Sequence, residues 1–249
     1  MTGRLAHIWR YPVKSHGREA LDRIEVTAGA TLPWDRAWAV AHESAEIDGT
    51  TWAPCANFSR GAKAPGLMAI DATLDEASGA LTLSHPDLEP VTVAPDREPA
   101  ALIDWAAPLM AENRAASTRV VRVPGRGMTD TDFPSISLLN LSSLRALEQR
   151  LGQSLSPLRF RGNFGVDGLG PWEEFEWIGR RIRIGAVEFR VEERIKRCLA
   201  TTANPETGRR DADTLGALEN GWGHRDFGVY MVADTNGTVA LGDPVELVQ

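Results

Sequence analysis

The clearest pattern of apolar and polar positions runs from Arg181 to Glu192. Ile182 and Ile184 alternate with polar residues, and the alternation resumes at Val187 after Gly185-Ala186. Period-two alternation predicts strands with one buried face, and the small pair between the runs predicts a hairpin turn. Weaker runs of the same kind predict further strands at 5–11, 21–26, 37–41, 65–73, 80–84, 118–123, 135–139, 159–166, 228–233, 238–240 and 245–248.

Two turn signals stand out between these runs. Asn236-Gly237 is a strong hairpin pair, and it predicts that 228–233 and 238–240 form a hairpin. Gly125 to Asp132 combines two glycines with two aspartates and predicts a flexible loop. We place a domain boundary at this loop, between residues 1–124 and 125–249.

Helical spacing appears in three segments. Residues 99–113 carry apolar side chains at helical spacing, and residues 213–220 predict a short helix. Leucines spaced three or four apart mark a helix over 141–151, with Asn140 or Ser142 as its N-cap and Gly152 at its end. Many short strands with few helices indicate a mainly β protein with added helices (α+β), built as barrel-like sheets.

Composition restricts the function classes. The chain has 249 residues and a formal net charge of −7, which argues against nucleic acid or an anionic membrane surface as partner. No secretory signal or membrane-length apolar run is present. Two cysteines cannot supply four ligands to an iron–sulfur cluster, and low cysteine use fits a reducing compartment. We therefore expect a cytoplasmic protein.

The stretch from Val191 to Asp211 carries the most suggestive chemistry. Cys198 follows Arg194, Lys196 and Arg197, and neighbouring cations favour the thiolate, which is both a nucleophile and a soft metal ligand. The polar run that follows offers hydroxyls and backbone N–H groups to a ligand. The alternative is a buried cysteine on a strand followed by an ordinary loop.

Cations and hydrogen-bond donors also recur at other strand ends. If these stretches converge, they build a phosphate pocket beside the thiolate, whereas separately each is an ordinary solvated charge. The residues concerned are Lys14, Ser15, Arg36, Arg161 and Asn163. Trp34 and Trp172 are candidate cleft walls, but structural roles are favoured.

Other site types have little support. The five histidines are scattered, so zinc is disfavoured, while a dyad of Cys198 and His224 stays open. No glycine-rich dinucleotide or phosphate-loop motif is present, and GRGMTD at 125–130 is too short and too polar to count as one. We expect Cys55, whose only nearby cations are Arg60 and Lys63, to be structural.

Several motifs together resemble a known family. They are YPVKS, RFRGN, PWEE followed by WIGR, RCLATTANPETG, GHRDFGVY and GDPV. As a set they resemble the MOSC family, in particular members with an N-terminal MOSC-associated β-barrel region, such as the mitochondrial amidoxime-reducing component and its bacterial relatives. The resemblance implies a MOSC β-barrel over 125–249 and a smaller β-barrel-like region over 1–124.

The resemblance also implies a cofactor and a set of residue roles. The cofactor is the molybdenum cofactor, in which a phosphorylated pterin (molybdopterin) binds the metal. Cys198 corresponds to the metal ligand and catalytic residue. Phosphate contacts correspond to Lys14, Ser15 and Arg36, and pterin contacts to Arg161, Asn163, Thr201 and Thr202.

Three functions are consistent with this resemblance. The first is a reductase of N-hydroxylated small molecules; without a ferredoxin-like domain or a membrane anchor, its electrons are expected from a separate donor protein. The second is a carrier of the molybdenum cofactor or of sulfur on Cys198. The third, which is the weakest because no lysine is placed for a Schiff base, is a metal-free binder of another phosphorylated cofactor such as pyridoxal phosphate.

Overall fold

The structure is a computed structural model that describes residues 2–248. Its helices are α1 (Pro99–Ala106), α2 (Leu141–Leu151) and α3 (Thr214–Trp222). Its strands are β1 (Gly3–Arg10), β2 (Glu19–Leu21), β3 (Arg23–Val26), β4 (Ala39–His42), β5 (Asp71–Asp75), β6 (Ala80–His85), β7 (Leu88–Val93), β8 (Ser117–Val121), β9 (Ile136–Asn140), β10 (Phe164–Asp167), β11 (Arg181–Ile184), β12 (Val187–Lys196), β13 (Asp226–Ala233), β14 (Gly237–Ala240) and β15 (Pro244–Leu247). Mainly β architecture with added helices is confirmed.

A closed barrel is the larger of the two parts of the fold. Its strands follow the order β10-β9-β13-β12-β11-β15-β1, and β1 pairs back to β10. The alternation predicted at Arg181 to Glu192 is confirmed, since Ile182, Ile184 and Phe189 lie inside the barrel core. Closure leaves no unpaired edge between these seven strands. Alternate side chains along each strand point into the barrel and fill its core.

The first strand of the chain belongs to this barrel. β1 pairs antiparallel with β10 and β15, and β2 continues the sheet from the other end of β1. The first strand therefore pairs with strands from the second half of the chain. Tyr11, which directly follows β1, lies next to residues that come much later in sequence. The boundary at 124/125 stays a prediction.

The N-terminal part contributes smaller antiparallel sheets. β5, β6 and β7 form one, and β4 pairs with β8. Together with α1 they enclose a second core that includes Trp38, Leu67, Ile70 and Leu83. Within residues 2–248, none of the helices combines the length and the apolar character that crossing a lipid bilayer requires.

The hairpin predicted at Asn236-Gly237 is wrong. β14 pairs antiparallel with β3, whereas β13 pairs with β12 and β9. The Asn236 side chain adds to this pairing, since its Oδ1 accepts a hydrogen bond from the backbone N–H of Ala28, just after β3, at 2.8 Å. Asn236 thus makes a long-range contact in place of a local turn.

Two further predicted strands are partly helical. Residues 157–160 form a short 3-10 helix that begins at Pro157, and the strand starts only at Phe164. Likewise 65–69 is a 3-10 helix, again with a proline at its first position. Proline fixes φ near the helical value, which favours a helical turn at these positions.

The capping prediction for the longest helix is confirmed. The Asn140 side chain accepts a hydrogen bond from the Ser142 N–H at 2.9 Å, and Gly152 ends α2 in the left-handed conformation. α1 is shorter than the predicted 99–113, because Pro108 lies in the 3-10 turn that follows it and cannot continue the helix.

Gly208 joins the loop after Cys198 to the N-terminal part. It has a φ of +66°, and a Cβ atom there would lie 2.7 Å from the Cα of Gly66. The two backbones therefore approach so closely that only glycine fits.

We expect Gly208→Ala to lower the free energy of unfolding by about 2 kcal/mol or more, since it combines a positive φ with overpacking. Gly29→Ala is the matched control, because Gly29 has a φ of +68° with no atom within 4 Å of its Cβ position. Gly29→Ala should lower the free energy of unfolding by only about 1 kcal/mol. Urea denaturation of both variants makes the comparison, and equal losses would contradict the close packing at Gly208.

Candidate functional site

An unusual backbone conformation singles out three of the predicted site residues. Among residues 2–248, positive φ in residues other than glycine occurs at Ser15, Arg36, Arg161 and two tryptophans. This conformation costs free energy for a residue with a side chain, and it persists where the surrounding structure enforces it, often at functional sites. The fold therefore holds these three residues in orientations that an ordinary strand or helix would not give.

Tyr11 is the platform on which two of the cations meet. The guanidinium carbons of Arg36 and Arg161 lie 4.8 and 4.3 Å from the centre of its ring. Arg36 Nη2 also donates a hydrogen bond to the Arg161 carbonyl at 2.9 Å, and the Asp35 carboxylate pairs with Arg36. The motifs YPVKS, DRAW and RFRGN therefore meet at one place, although about 150 residues separate the first from the last.

Lys14 is buried beside this platform, with a side chain only 4% exposed. Its Nζ donates to the carbonyls of Met128 and Thr129 at 2.8 and 3.1 Å and pairs with the Asp130 carboxylate. These three partners are consecutive residues of the loop 125–132, which we call the Asp130 loop. The loop thus wraps around the ammonium group of Lys14.

The charged groups in this cluster shift one another's pKa values. Partial removal of the Asp130 carboxylate from water works to raise its pKa, but Lys14, Arg36 and Arg161 outweigh this effect and lower that pKa to about 2. Burial lowers the pKa of Arg161 to about 10, and the nearby Arg36 adds to the effect. Burial raises the pKa of the Tyr11 hydroxyl to about 12, against the two guanidinium groups. The cluster of Lys14, Arg36, Arg161 and Asp130, which we call the basic pocket, is therefore locally cationic on an acidic protein.

Cys198 lies two residues after the end of β12 and is exposed. Its carbonyl accepts hydrogen bonds from the N–H and the hydroxyl of Thr201, at 3.2 and 3.1 Å, so a 3-10 turn over 199–202 begins at the cysteine. The alternative of a buried cysteine on a strand does not hold. The sulfur is presented at the start of a tightly bonded turn.

Arg197 connects the cysteine with the pocket. Burial lowers the pKa of Arg197 to about 10, while Tyr230, Cys198 and Asp130 work against this shift. Arg197 therefore interacts with Cys198 as well as with Asp130 in the pocket. Its guanidinium donates to the carbonyls of Phe227 and Phe160, both at 2.8 Å. These bonds fix the cation between the thiol and the RFRGN turn.

The other two cations before Cys198 behave differently. Arg194 is exposed and stacks on the Phe175 ring at 4.3 Å, and Lys196 is exposed. Of the three cations counted from the sequence, the structure thus holds Arg197 in place between the cysteine and the pocket.

Three predicted binding residues have side chains that already make hydrogen bonds within the protein. Asn163 accepts from the N–H and hydroxyl of Ser137 and donates to the Trp9 carbonyl, which ties β9 to β1. The hydroxyl of Thr201 bonds the Cys198 carbonyl and Thr214, and that of Thr202 donates to the Leu199 carbonyl. These side chains shape the pocket and the turn, and their direct contact with a ligand stays a prediction.

Tyr11, Asp35 and Asp130 are site residues that were not predicted from the sequence. Tyr11 begins the YPVKS motif and Asp35 directly precedes Arg36, so the YPVKS and DRAW motifs could have indicated them. Asp130 lies in the GRGMTD segment that was set aside as too short and polar, and nothing local connects it with Lys14, its partner 116 residues away.

Other candidates from the sequence have structural explanations. His224 accepts a hydrogen bond from the Asp226 N–H and packs against the rings of Trp172 and Phe175, and no hydrogen bond joins it to Cys198 in the described part of the chain. Trp172 also packs against Trp222, and Trp34 packs against Trp38. These contacts favour structural roles for both tryptophans.

The donor set fits a phosphorylated cofactor with a soft metal. One anion, the Asp130 carboxylate, already lies among Lys14, Arg36 and Arg161, so the pocket accommodates negative charge. An exposed thiol at a fixed turn is suited to a soft metal centre. Among residues 2–248, no group of three or more His, Cys, Asp or Glu side chains is arranged to hold a metal ion.

Comparison with known proteins gives related sequences. Mitochondrial amidoxime-reducing component 1 of Mus musculus is 31% identical over 130 residues, which cover 47% of this chain and 38% of that protein. Molybdenum cofactor sulfurase of Anopheles gambiae is 27% identical over 284 aligned positions, covering 92% of this chain and 34% of that protein. The chain therefore spans little more than a third of the length of these relatives.

A solved structure and two family models complete the comparison. The YUAD protein from Bacillus subtilis aligns over 99% of this chain with 14% identity and a TM-score of 0.48. The model of the MOSC N-terminal beta barrel domain matches residues 2–139, more than half of the chain, and the model of the MOSC domain matches residues 128–246. The chain belongs to the MOSC family and carries the N-terminal beta barrel domain together with the MOSC domain.

Proposed function

We propose that this protein binds a molybdenum cofactor and reduces N-hydroxylated small molecules, with electrons from a separate donor protein. The observation that supports it best is the convergence of Lys14, Arg36 and Arg161 on one carboxylate, with Arg197 connecting this pocket to the exposed Cys198. The family and the names of the relatives agree with a protein of molybdenum cofactor chemistry.

Each part of the site has a role in this proposal. Lys14, Ser15 and Arg36 hold the phosphate, and Cys198 ligates the metal. Arg161, Asn163, Thr201 and Thr202 would contact the pterin. When bound, the cofactor supplies the two-electron chemistry that protein side chains cannot perform.

The protein contributes position and charge. Arg197, the residue directly before Cys198, provides a positive charge that its bonds to the Phe227 and Phe160 carbonyls hold in place. The hydrogen bonds from Thr201 fix the Cys198 carbonyl, and stacking on Tyr11 restrains Arg161. Side chains held in this way lose little conformational entropy when a ligand binds.

A carrier of the cofactor or of sulfur on Cys198 is the second candidate. Two observations favour it: the cysteine is exposed at the surface, and the similarity to molybdenum cofactor sulfurase covers 92% of this chain. A carrier needs an accessible sulfur but no substrate pocket, so assays of turnover separate the two functions.

We expect loaded wild-type protein to reduce a benzamidoxime-type substrate with a chemical reductant. Cys198→Ser should lower the rate at least about a hundredfold, because the metal loses its protein ligand. Cys55→Ser is the matched control and should keep wild-type activity, since the Cys55 thiol accepts a hydrogen bond from Arg60 in the N-terminal part.

Two outcomes would contradict this assignment. Full cofactor loading without reduction of any N-hydroxylated compound favours the carrier. Equal loss of metal in Cys55→Ser and Cys198→Ser shows that Cys198 is not the single protein ligand.

We expect Arg161→Met to lose most of its bound pterin, because it removes one of the half-buried cations of the pocket. Arg194→Met is the matched control, since both arginines stack on an aromatic ring at 4.3 Å but Arg194 lies on Phe175. The measurement is the fluorescence of pterin released by acid oxidation, per mole of folded protein. Equal pterin in the two variants would exclude Arg161 from the cofactor site.

A further inference from the structure

The Asp130 carboxylate occupies an unusual position in the basic pocket. Its side chain is 58% exposed, yet it pairs with Lys14, whose side chain is only 4% exposed. The residues on either side, Thr129 and Thr131, are buried. Asp130 therefore reaches from the surface into the mouth of the pocket.

Asp130 cancels part of the positive charge that a phosphate group would meet in the pocket. Lys14, Arg36, Arg161 and Arg197 are the cations around it, and Asp35 is already paired with Arg36. Removing Asp130 raises the net positive charge by one, which favours a phosphate monoester that carries close to two negative charges near neutral pH. A phosphate bound beside Asp130 would meet a like charge at close range.

The backbone around Asp130 is firmly held on both sides. Gly127 and Met128 donate their N–H groups to Thr31 Oγ1 at 3.0 Å and to the Arg36 carbonyl at 2.8 Å. Thr131 donates its hydroxyl to the Phe133 carbonyl at 2.8 Å. Rotation of the Asp130 side chain into solvent therefore needs no rearrangement of the loop.

We propose that Asp130 is an internal anion that fills the basic pocket in the free protein and is displaced by the phosphate group of the incoming ligand. This inference rests on the proposed function, because it assumes the anion pocket. It adds the Asp130 carboxylate as a competitor of the ligand's phosphate group. Asp130 stabilises the buried cations while the pocket is free of ligand. In return it weakens phosphate binding, so that Asp130 tunes how tightly a phosphorylated ligand is held.

The test is calorimetric titration of inorganic phosphate, at pH 7.5, into the full chain produced in a host that cannot make the cofactor. We expect Asp130→Asn to bind phosphate roughly tenfold or more tighter than wild type, because a like charge is removed. Asp167→Asn is the matched control: it removes another half-exposed carboxylate from an arginine ion pair, with Arg145 on α2, and should leave the affinity unchanged.

Lys14→Met separates failure of this inference from failure of the proposed pocket. If wild type and Asp130→Asn bind phosphate equally and Lys14→Met does not bind, the pocket stands and the displacement by phosphate is wrong. If neither wild type nor Asp130→Asn binds phosphate, both the pocket and the inference are wrong. Asp130→Ser should show the same tightening, and circular dichroism of each variant verifies that it is folded.

Discussion

A positive charge removed from water needs compensating oxygens or aromatic faces, and three such charges lie together in this protein. Lys14 is compensated by two carbonyls and by Asp130, and Arg36 by Asp35 and the Arg161 carbonyl. Arg161 rests on Tyr11 and donates to the Gly17 carbonyl. Each cation is held by the backbone of another segment, so the pocket and the junction of the two parts of the fold depend on the same contacts.

The barrel makes this arrangement available. β1 closes the barrel against β10, so Tyr11 leaves the barrel next to the RFRGN turn, and its hydroxyl donates to the Gly162 carbonyl at 3.0 Å. From the other side, β12 ends at Lys196, two residues before Cys198, and Arg197 donates a hydrogen bond to the Phe160 carbonyl, directly before Arg161. The thiol and the cations therefore come from opposite ends of the chain and meet at one end of the same barrel.

The elements that follow from local patterns could be predicted from sequence. The Asn140 and Gly152 caps and the alternation around Ile182 depend on residues within one or two turns, and the structure has them. The pairing of β14 with β3 could not be predicted in this way, because the two strands lie far apart in sequence and no local pattern links them.

The site residues also divide into those that local sequence predicts and those that only long-range contacts reveal. Charge type and motif context predicted Lys14, Arg36 and Arg161, and the structure brings these three together. The left-handed backbone of Arg161 was hidden by its apolar neighbours, which suggested a continuous strand. Asp130 was missed because its importance arises only from charges that folding brings to it from three other segments.

Elemental analysis of the full chain, purified from a host with intact cofactor biosynthesis, shows whether the basic pocket and Cys198 together hold one molybdenum cofactor. We expect about one molybdenum atom per folded chain, retained through gel filtration, as a thiolate-ligated cofactor should be. Folded protein free of molybdenum, from a host whose other molybdenum enzymes are loaded, would contradict this expectation.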